Sequence, residues 1–275
     1  MADTSSTPSH ATFIPDIDLL DQHFLTDPVI ARAVVDAAAI TADDVVTDLG
    51  AGAGILTRAA LDAQPARVIA VEIDRRCRRW LDPLAVSPAL TVVWTDLRSL
   101  NAELESSTVV VANPPFTLMH HVVLILRAPP RLRSAVLVTG SRWARAAVAT
   151  PGTRDYRRSS LHIQSRFAVE PLGAIQGSAF HPPIVRPAAL MRLTRIDGDP
   201  LVDLLAETDL HRANLRVKDV LRSRAVGDPS LVERLANISR DPALRTLQQR
   251  RLQQLTAEQL SSLVAIIAST NPPTV

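Results

Sequence analysis

A doubly wound α/β sheet with a small helical appendage at its C-terminus is the fold class that this 275-residue sequence predicts. Three observations predict it. Short apolar, β-branched runs alternate with segments of helical spacing as far as residue 196, the pattern of βαβ units on a parallel sheet. Glycines follow the first run, acids end the second, and an Asn-Pro-Pro-aromatic corner ends a later one, where such a sheet holds its ligand at the carboxyl ends of its strands. After Asp197 the sequence becomes charged, periodic and nearly glycine-free, which reads as three or four short helices.

The elements follow in order. Residues 1–20 are polar, acidic and proline-containing and are expected to form a flexible arm; 21–197 form the sheet domain and 198–275 a helical cap. Thr26 or Asp27 caps a first helix with Pro28 in its opening turn and apolar residues at helical spacing to Ile40. Strands are predicted at 45–49, 67–71, 90–94, 108–112 and 134–139, and helices at 55–63, 74–85 and 117–127. A helical turn at 141–148 precedes the polar loop PGTRDYRRSS. Residues 161–175 read as a helix followed by a strand, and 188–196 as a final strand.

Composition narrows the classes. No 18-residue apolar run exists, and the N-terminal residues lack the charged-then-apolar order of a signal peptide, so a soluble, cytoplasmic monomer without a membrane partner is expected. The single cysteine, Cys77, excludes an internal disulfide, and no metal site is expected. The net charge is only +2, yet of the 30 basic residues Lys218 is the one lysine. Between 131 and 166 stand Arg131, Arg133, Arg142, Arg145, Arg154, Arg157, Arg158 and Arg166 against one acid, Asp155. That density suits a phosphate-attracting surface, and arginine also stacks on unpaired bases, so folded RNA is the expected partner. A genomic bias toward arginine is the plainer explanation of the composition.

Gly50, Gly52 and Gly54 sit in D-L-G-A-G-A-G directly after an apolar strand. Glycine is needed where the backbone turns sharply and a ligand approaches it closely. Dinucleotide enzymes use a related turn, and Glu72, an acid after the second strand, binds ribose hydroxyls in either case. Asp96, closing TVVWTD, can accept a hydrogen bond from an adenine amine, and Asn113-Pro114-Pro115-Phe116 is a corner that a nicotinamide enzyme lacks. The set points to S-adenosylmethionine as cofactor and to an amino group presented at Asn113. An exocyclic amine is a poor nucleophile because its lone pair is delocalised into the ring. Accepting its two N–H bonds on the Asn113 side-chain oxygen and the Pro114 carbonyl favours a more tetrahedral nitrogen. Phe116 offers the base a face to stack on, worth about 1–3 kcal/mol. Positioning and electrostatics then supply the catalysis, without a metal or a strong base. His120 and His121 follow the corner but point to different helix faces, and Trp80, Trp94 and Trp143 read as core anchors, Trp143 being the one worth testing for RNA contact.

On these residues the chain resembles the rRNA adenine N6-dimethyltransferase family, over residues 20–197. D-Q-H-F-L-T-D-P at 21–28 is similar to the family's Q-N-F-L segment, which folds over the methionine end of the cofactor. The resemblance implies cofactor contacts at His23, Leu25, Gly50, Glu72, Asp96 and Asn113. AFHPPIVRPAALMRL at 179–193 looks like its F-x-P-x-P-x-V-x-S signature. The chain departs from the pattern in three places: His23 stands for an asparagine, Pro114 for Leu or Ile, and the N-terminal arm is acidic rather than basic. Phe116 and the missing K-R-F-G-Q-N-F-L opening lean toward the Erm type, which methylates 23S rRNA and confers macrolide, lincosamide and streptogramin B resistance. The alternatives are a small-subunit (16S) adenine dimethyltransferase, a non-catalytic nucleic-acid-binding factor of the same fold, and a DNA or small-molecule amino-methyltransferase.

Overall fold

The computed structural model describes residues 23–100, 104–196, 216–219, 242–251, 254–256 and 258–259. The expected arm at 1–20 and most of the cap at 198–275 lie outside them.

A short strand β1 (Phe24–Leu25) leads into helix α1 (Pro28–Ala38). Asp27 caps α1, its Oδ1 accepting from the amides of Val29 at 2.8 Å and Ile30 at 3.3 Å, with Pro28 at a position whose missing N–H costs nothing. The helix ends two residues before Ile40, because Ala39 turns left-handed with φ 48°. Then come β2 (Val45–Leu49), α2 (Ile55–Asp62), β3 (Arg67–Glu72), α3 (Arg78–Leu81), β4 (Leu90–Trp94), β5 (Val109–Ala112), α4 (Met119–Arg127), β6 (Ser134–Gly140), α5 (Ser141–Ala147), α6 (Arg158–Gln164), β7 (Phe167–Ile175), β8 (Phe180–His181), β9 (Ala188–Arg195) and α7 (Pro242–Gln249).

Seven strands form one sheet in the order β4-β3-β2-β5-β6-β9-β7. β2 is the first to be laid down, β3 and β4 extend the sheet to one side, and β5 starts the other. The strand order therefore reverses between β2 and β5, where open α/β sheets bind their ligands. The chain departs from an all-parallel sheet at one strand: β9 runs against both β6 and β7. The link from β7 to β9 holds no crossover helix, and without one a returning strand pairs antiparallel. Two further expectations shift. The helix foreseen at 74–85 is broken into a 3-10 turn at Arg75–Cys77, the short α3 and a second 3-10 turn at Leu84–Val86, since Pro83 cannot continue a helix. α6 begins at Arg158, inside the segment read as loop.

Alternate residues of each strand serve opposite faces. Val109 and Val111 pack with α1 residues Val34 and Val35, whereas Val110 and Ala112 pack with α4 residues Val122 and Leu126. Both faces are covered, so the strands read as continuous apolar runs rather than alternating ones. At the amino ends of the strands, opposite the glycine turn, Asp44 is buried beside Arg133 at 2.7 Å and also accepts from Thr41 and Thr108. Burial pushes its carboxyl up, but these three partners outweigh that and hold it well below the usual carboxylate range. The cap is represented by α7 and by Leu255, fully buried, whose carbonyl accepts the Tyr156 hydroxyl at 2.9 Å. Burial raises that phenol to about 12.

Candidate active site

The crevice at the strand reversal is built by three loops. Leu49 pairs with Ala112, so the turn after β2 and the corner after β5 emerge side by side. The amides of Gly50 and Ala51 both donate to the Val71 carbonyl at 2.9 Å, tying the turn to the end of β3. Gly52 has φ 51°, and a Cβ there would lie 2.8 Å from the Phe24 ring. That ring belongs to β1, which lies across the turn as a strap. Glycine is thus required at 52 both by backbone conformation and by the close approach of the strap.

Glu72, buried at the end of β3, organises the floor. One carboxylate oxygen accepts the Gly52 amide at 2.7 Å, and the other accepts the amides of Ile73 at 2.8 Å and Asp74 at 2.7 Å. Burial raises its pKa above the ordinary value, the three amides acting against the rise.

A cavity of about 520 Å³ opens over this floor. His23, Leu25, Gly50, Gly52, Glu72, Asp96 and Asn113, the seven positions expected to hold the cofactor, all line it. Asp96 arrives already engaged, accepting the Arg98 amide at 2.8 Å and pairing with the Arg98 guanidinium, which holds its carboxyl below the ordinary range. The reading of residue patterns missed Asp48. Its side chain is wholly buried and lines the same cavity; Oδ2 accepts the Thr57 hydroxyl at 2.6 Å, while Oδ1 has no partner among the described residues. Burial pushes this carboxyl up to about 7, the Glu72 charge adds to the rise, and Thr57 opposes it. An acid buried two residues ahead of a glycine turn was the available signal. An orphaned carboxylate oxygen, an acidic floor and a side-chain-free glycine cradle suit a nucleoside that carries a cationic amino-acid chain.

A second cavity, of about 240 Å³, adjoins the first, and His23 and Pro115 line both. Pro114, Phe116, Gly140, Arg142 and Arg186 line the second alone. Phe116 stands on the backbone of Gly140, where an added Cβ would come within 3.3 Å of the ring. Asn113 donates its amide to the His23 carbonyl at 2.9 Å, and the His23 ring donates from Nδ1 to the Pro182 carbonyl at 2.9 Å. His23 therefore joins the reacting corner to the 180s loop, and β1 pairs antiparallel with β8 beside it. The expected catalytic set of Asn113, Pro114 and Phe116 is brought together at the junction of the two cavities.

The arginines foreseen as one RNA surface are not gathered on one face. Arg131 and Arg133 precede β6 and lie at the amino ends of the strands, and Arg133 is committed to Asp44 and to the Ala39 carbonyl at 2.7 Å. Arg142 and Arg145 follow β6 on the crevice side, Arg145 lying 3.7 Å from Asp155. Arg154 and Arg157 are exposed in the following loop, and Arg158 opens α6. Trp143 packs against the core, His120 and His121 line neither cavity, and Cys77 is buried. No helix among the described residues is long and apolar enough to cross a membrane.

Residues 18–212 match the family model described as ribosomal RNA adenine dimethylase. Ribosomal RNA small subunit methyltransferase A of Bordetella bronchiseptica is 32% identical over 75% of this chain and 79% of its own length. Two solved structures share the fold. A dimethyladenosine transferase from Plasmodium falciparum covers 88% of this chain and 96% of its own at TM-score 0.69 and 19% identity. The 23S rRNA methyltransferase ErmE covers 90% and 100% at TM-score 0.61 and 21% identity. The chain belongs to the ribosomal RNA adenine dimethylase family and is an S-adenosylmethionine-dependent methyltransferase of ribosomal RNA adenine.

Proposed function

We propose that the larger cavity takes the cofactor, the smaller one takes an adenine turned out of its stack, and Asn113 stands where the two meet. The observation that supports this reading is the pair of adjoining cavities, with Asn113 lining the first, Pro114 and Phe116 the second, and His23 and Pro115 both. When bound, S-adenosylmethionine supplies a methyl group made electrophilic by its sulfonium.

The protein's contribution is positional. Glu72 fixes the glycine turn through Gly52 and offers its carboxylate to ribose hydroxyls. Asp48 presents Oδ1 to the ammonium of the methionine chain, and Asp96 accepts from the cofactor's adenine amine. The Asn113 amide is spent on the His23 carbonyl, so its Oδ1 is the atom left to accept an N–H of the target amine. The Pro114 carbonyl accepts the second, and Pro115 contributes no competing amide. The nitrogen lone pair is thereby released from the ring toward the methyl group. Phe116, braced on Gly140, stacks on the base.

The RNA proposed is that of the small subunit, on the strength of the Bordetella relative's name and of its 32% identity over three quarters of this chain. The second reading is 23S rRNA with macrolide resistance, which Phe116 and the absent basic opening favour. Incubating the protein with methyl-labelled cofactor and, separately, undermethylated small subunits, naked 16S rRNA and naked 23S rRNA distinguishes them. Label in N6-methylated adenosine of the small-subunit samples is expected. Label confined to 23S rRNA, together with raised macrolide tolerance of expressing cells, establishes the second reading instead.

A further inference from the structure

Two side chains that line the smaller cavity, Arg142 and Arg186, are not used by the reaction, and neither is Val185, which precedes Arg186 in the same loop. Val185 is fully exposed at 101% of its reference area, the most exposed large apolar side chain among the described residues. Arg186 follows it, and Arg142 lies in the first turn of α5; both are exposed and both line the cavity. Neither guanidinium has a hydrogen-bond or ion-pair partner among the described residues. Arg98, Arg133 and Arg192, by contrast, are each paired with an acid. The sequence supplies no acid to quench them nearby: none occurs between Glu105 and Asp155, or between Glu170 and Asp197.

The loop that bears Val185 is held in place. The Ile184 amide donates to the Gly177 carbonyl at 3.2 Å, Pro182 accepts from the His23 ring, and β8 pairs with β1. A Cβ at Gly177 would fall 1.9 Å from the Ile184 carbonyl oxygen, so the two ends of the loop touch backbone to backbone. The braced loop thus holds an exposed apolar side chain directly before Arg186, a cation without a partner among the described residues, beside a base-sized cavity that Arg142 also lines.

We infer that Arg142, Val185 and Arg186 form a strand-holding lip for RNA: the two arginines take phosphates flanking the target nucleotide, and Val185 fills the gap in the stack that the extruded base leaves. The inference rests on the assignment of the smaller cavity to the target base. Extruding a base costs a few kcal/mol of stacking, and an apolar wedge beside two phosphate contacts is a known way to recover it. It adds Val185 and Arg186 to the arginines foreseen from the sequence, and it separates Arg142 from Arg131 and Arg133, which lie at the other end of the strands.

The probe is a short single-stranded oligouridylate with one central 2-aminopurine, whose fluorescence reports whether its base is stacked. Its binding is followed over a salt series in the presence of S-adenosylhomocysteine. Arg142→Ala and Arg186→Ala are each expected to reduce the slope of log affinity against log salt by about 0.7, the value of one single-strand phosphate contact. Arg142→Lys and Arg186→Lys are expected to keep the slope. Val185→Ser is expected to keep the slope but lose at least half of the 2-aminopurine signal change. Calorimetric affinity for S-adenosylhomocysteine within twofold of wild type in every variant shows that the fold and cofactor cavity persist. An unchanged slope in Arg142→Ala/Arg186→Ala overturns the phosphate contacts, and an unchanged signal in Val185→Ser overturns the wedge. Wild-type binding without any 2-aminopurine response overturns the base-cavity assignment itself, and the lip with it.

Discussion

Asp48 and Asn113 show how much a single side chain does in this crevice. Asn113 spends its donor on the His23 carbonyl, which fixes the amide and, in the proposed function, leaves the oxygen for the substrate. Asp48 is buried with one oxygen on Thr57 and the other unpartnered among the described residues, and its pKa is pushed up to about 7. That shift has a consequence for stability. The folded-state pKa lies above the unfolded value, so the folded protein binds a proton that the unfolded chain gives up. The stabilisation is present at low pH and is lost as pH rises toward 7. The cofactor-free protein is predicted to lose stability between pH ~5 and ~7, by up to about 1.4 kcal/mol per pH unit. Asp48→Asn should flatten this dependence, leaving the slope due to Glu72, whose pKa is raised in the same direction by burial. Chemical denaturation of both proteins across that range checks it; parallel pH slopes would show that Asp48 is ionised throughout. Asp48 was the residue least legible in the sequence, because an acid near the end of a strand, just ahead of a glycine turn, looks like a turn former. Only the packed structure shows that one of its oxygens is left over.

At the scale of elements, the central strands and the glycine turn were legible because both faces of the sheet are covered there and β3, β5 and β6 are nearly continuous apolar runs. Strand direction was not: nothing in the β9 segment itself marks it as antiparallel to β6 and β7, and its reversal is set by the link from β7, which holds no crossover helix. The strap was partly legible. The 21–28 segment was expected to lie over the cofactor site, but its pairing with β8, and the Phe24 ring seated on Gly52, depend on contacts between residues far apart in the chain. The 177–187 loop is the piece of this frame most open to test. Gly177→Ala places a methyl group against the Ile184 carbonyl and should destabilise the protein by about 1–3 kcal/mol as the loop shifts. Methyl transfer should fall at least tenfold while affinity for S-adenosylhomocysteine, whose floor is set by Glu72, changes little. A variant with wild-type melting temperature and activity would show that the loop is free to move and that the site does not depend on it.

Across the whole molecule, function follows from which end of the parallel strands a residue occupies. A count along the chain treats the arginines from 131 to 166 as one basic surface. The β6 strand divides them: Arg131 and Arg133 come before it and lie at the amino ends, and Arg142 and Arg145 come after it on the crevice side. This division was readable from the sequence once 134–139 was taken as a strand of a parallel sheet. Arg133→Ala should therefore cost about 1–3 kcal/mol of stability through the loss of its charged hydrogen bonds to buried Asp44. It should leave RNA affinity and its salt dependence unchanged, as titration against rRNA fragments can establish; a shallower salt slope would place phosphate at that end. The most direct test of the account is methyl transfer from labelled S-adenosylmethionine to rRNA, with the product nucleoside identified by mass spectrometry, for wild type and Asn113→Ala side by side. Wild type is predicted to yield N6-methylated adenosine. Asn113→Ala, folded and still binding S-adenosylhomocysteine within a few-fold, is predicted to yield none. Substantial N6-methyladenosine from the folded variant, or label on another atom with the wild type, would contradict it.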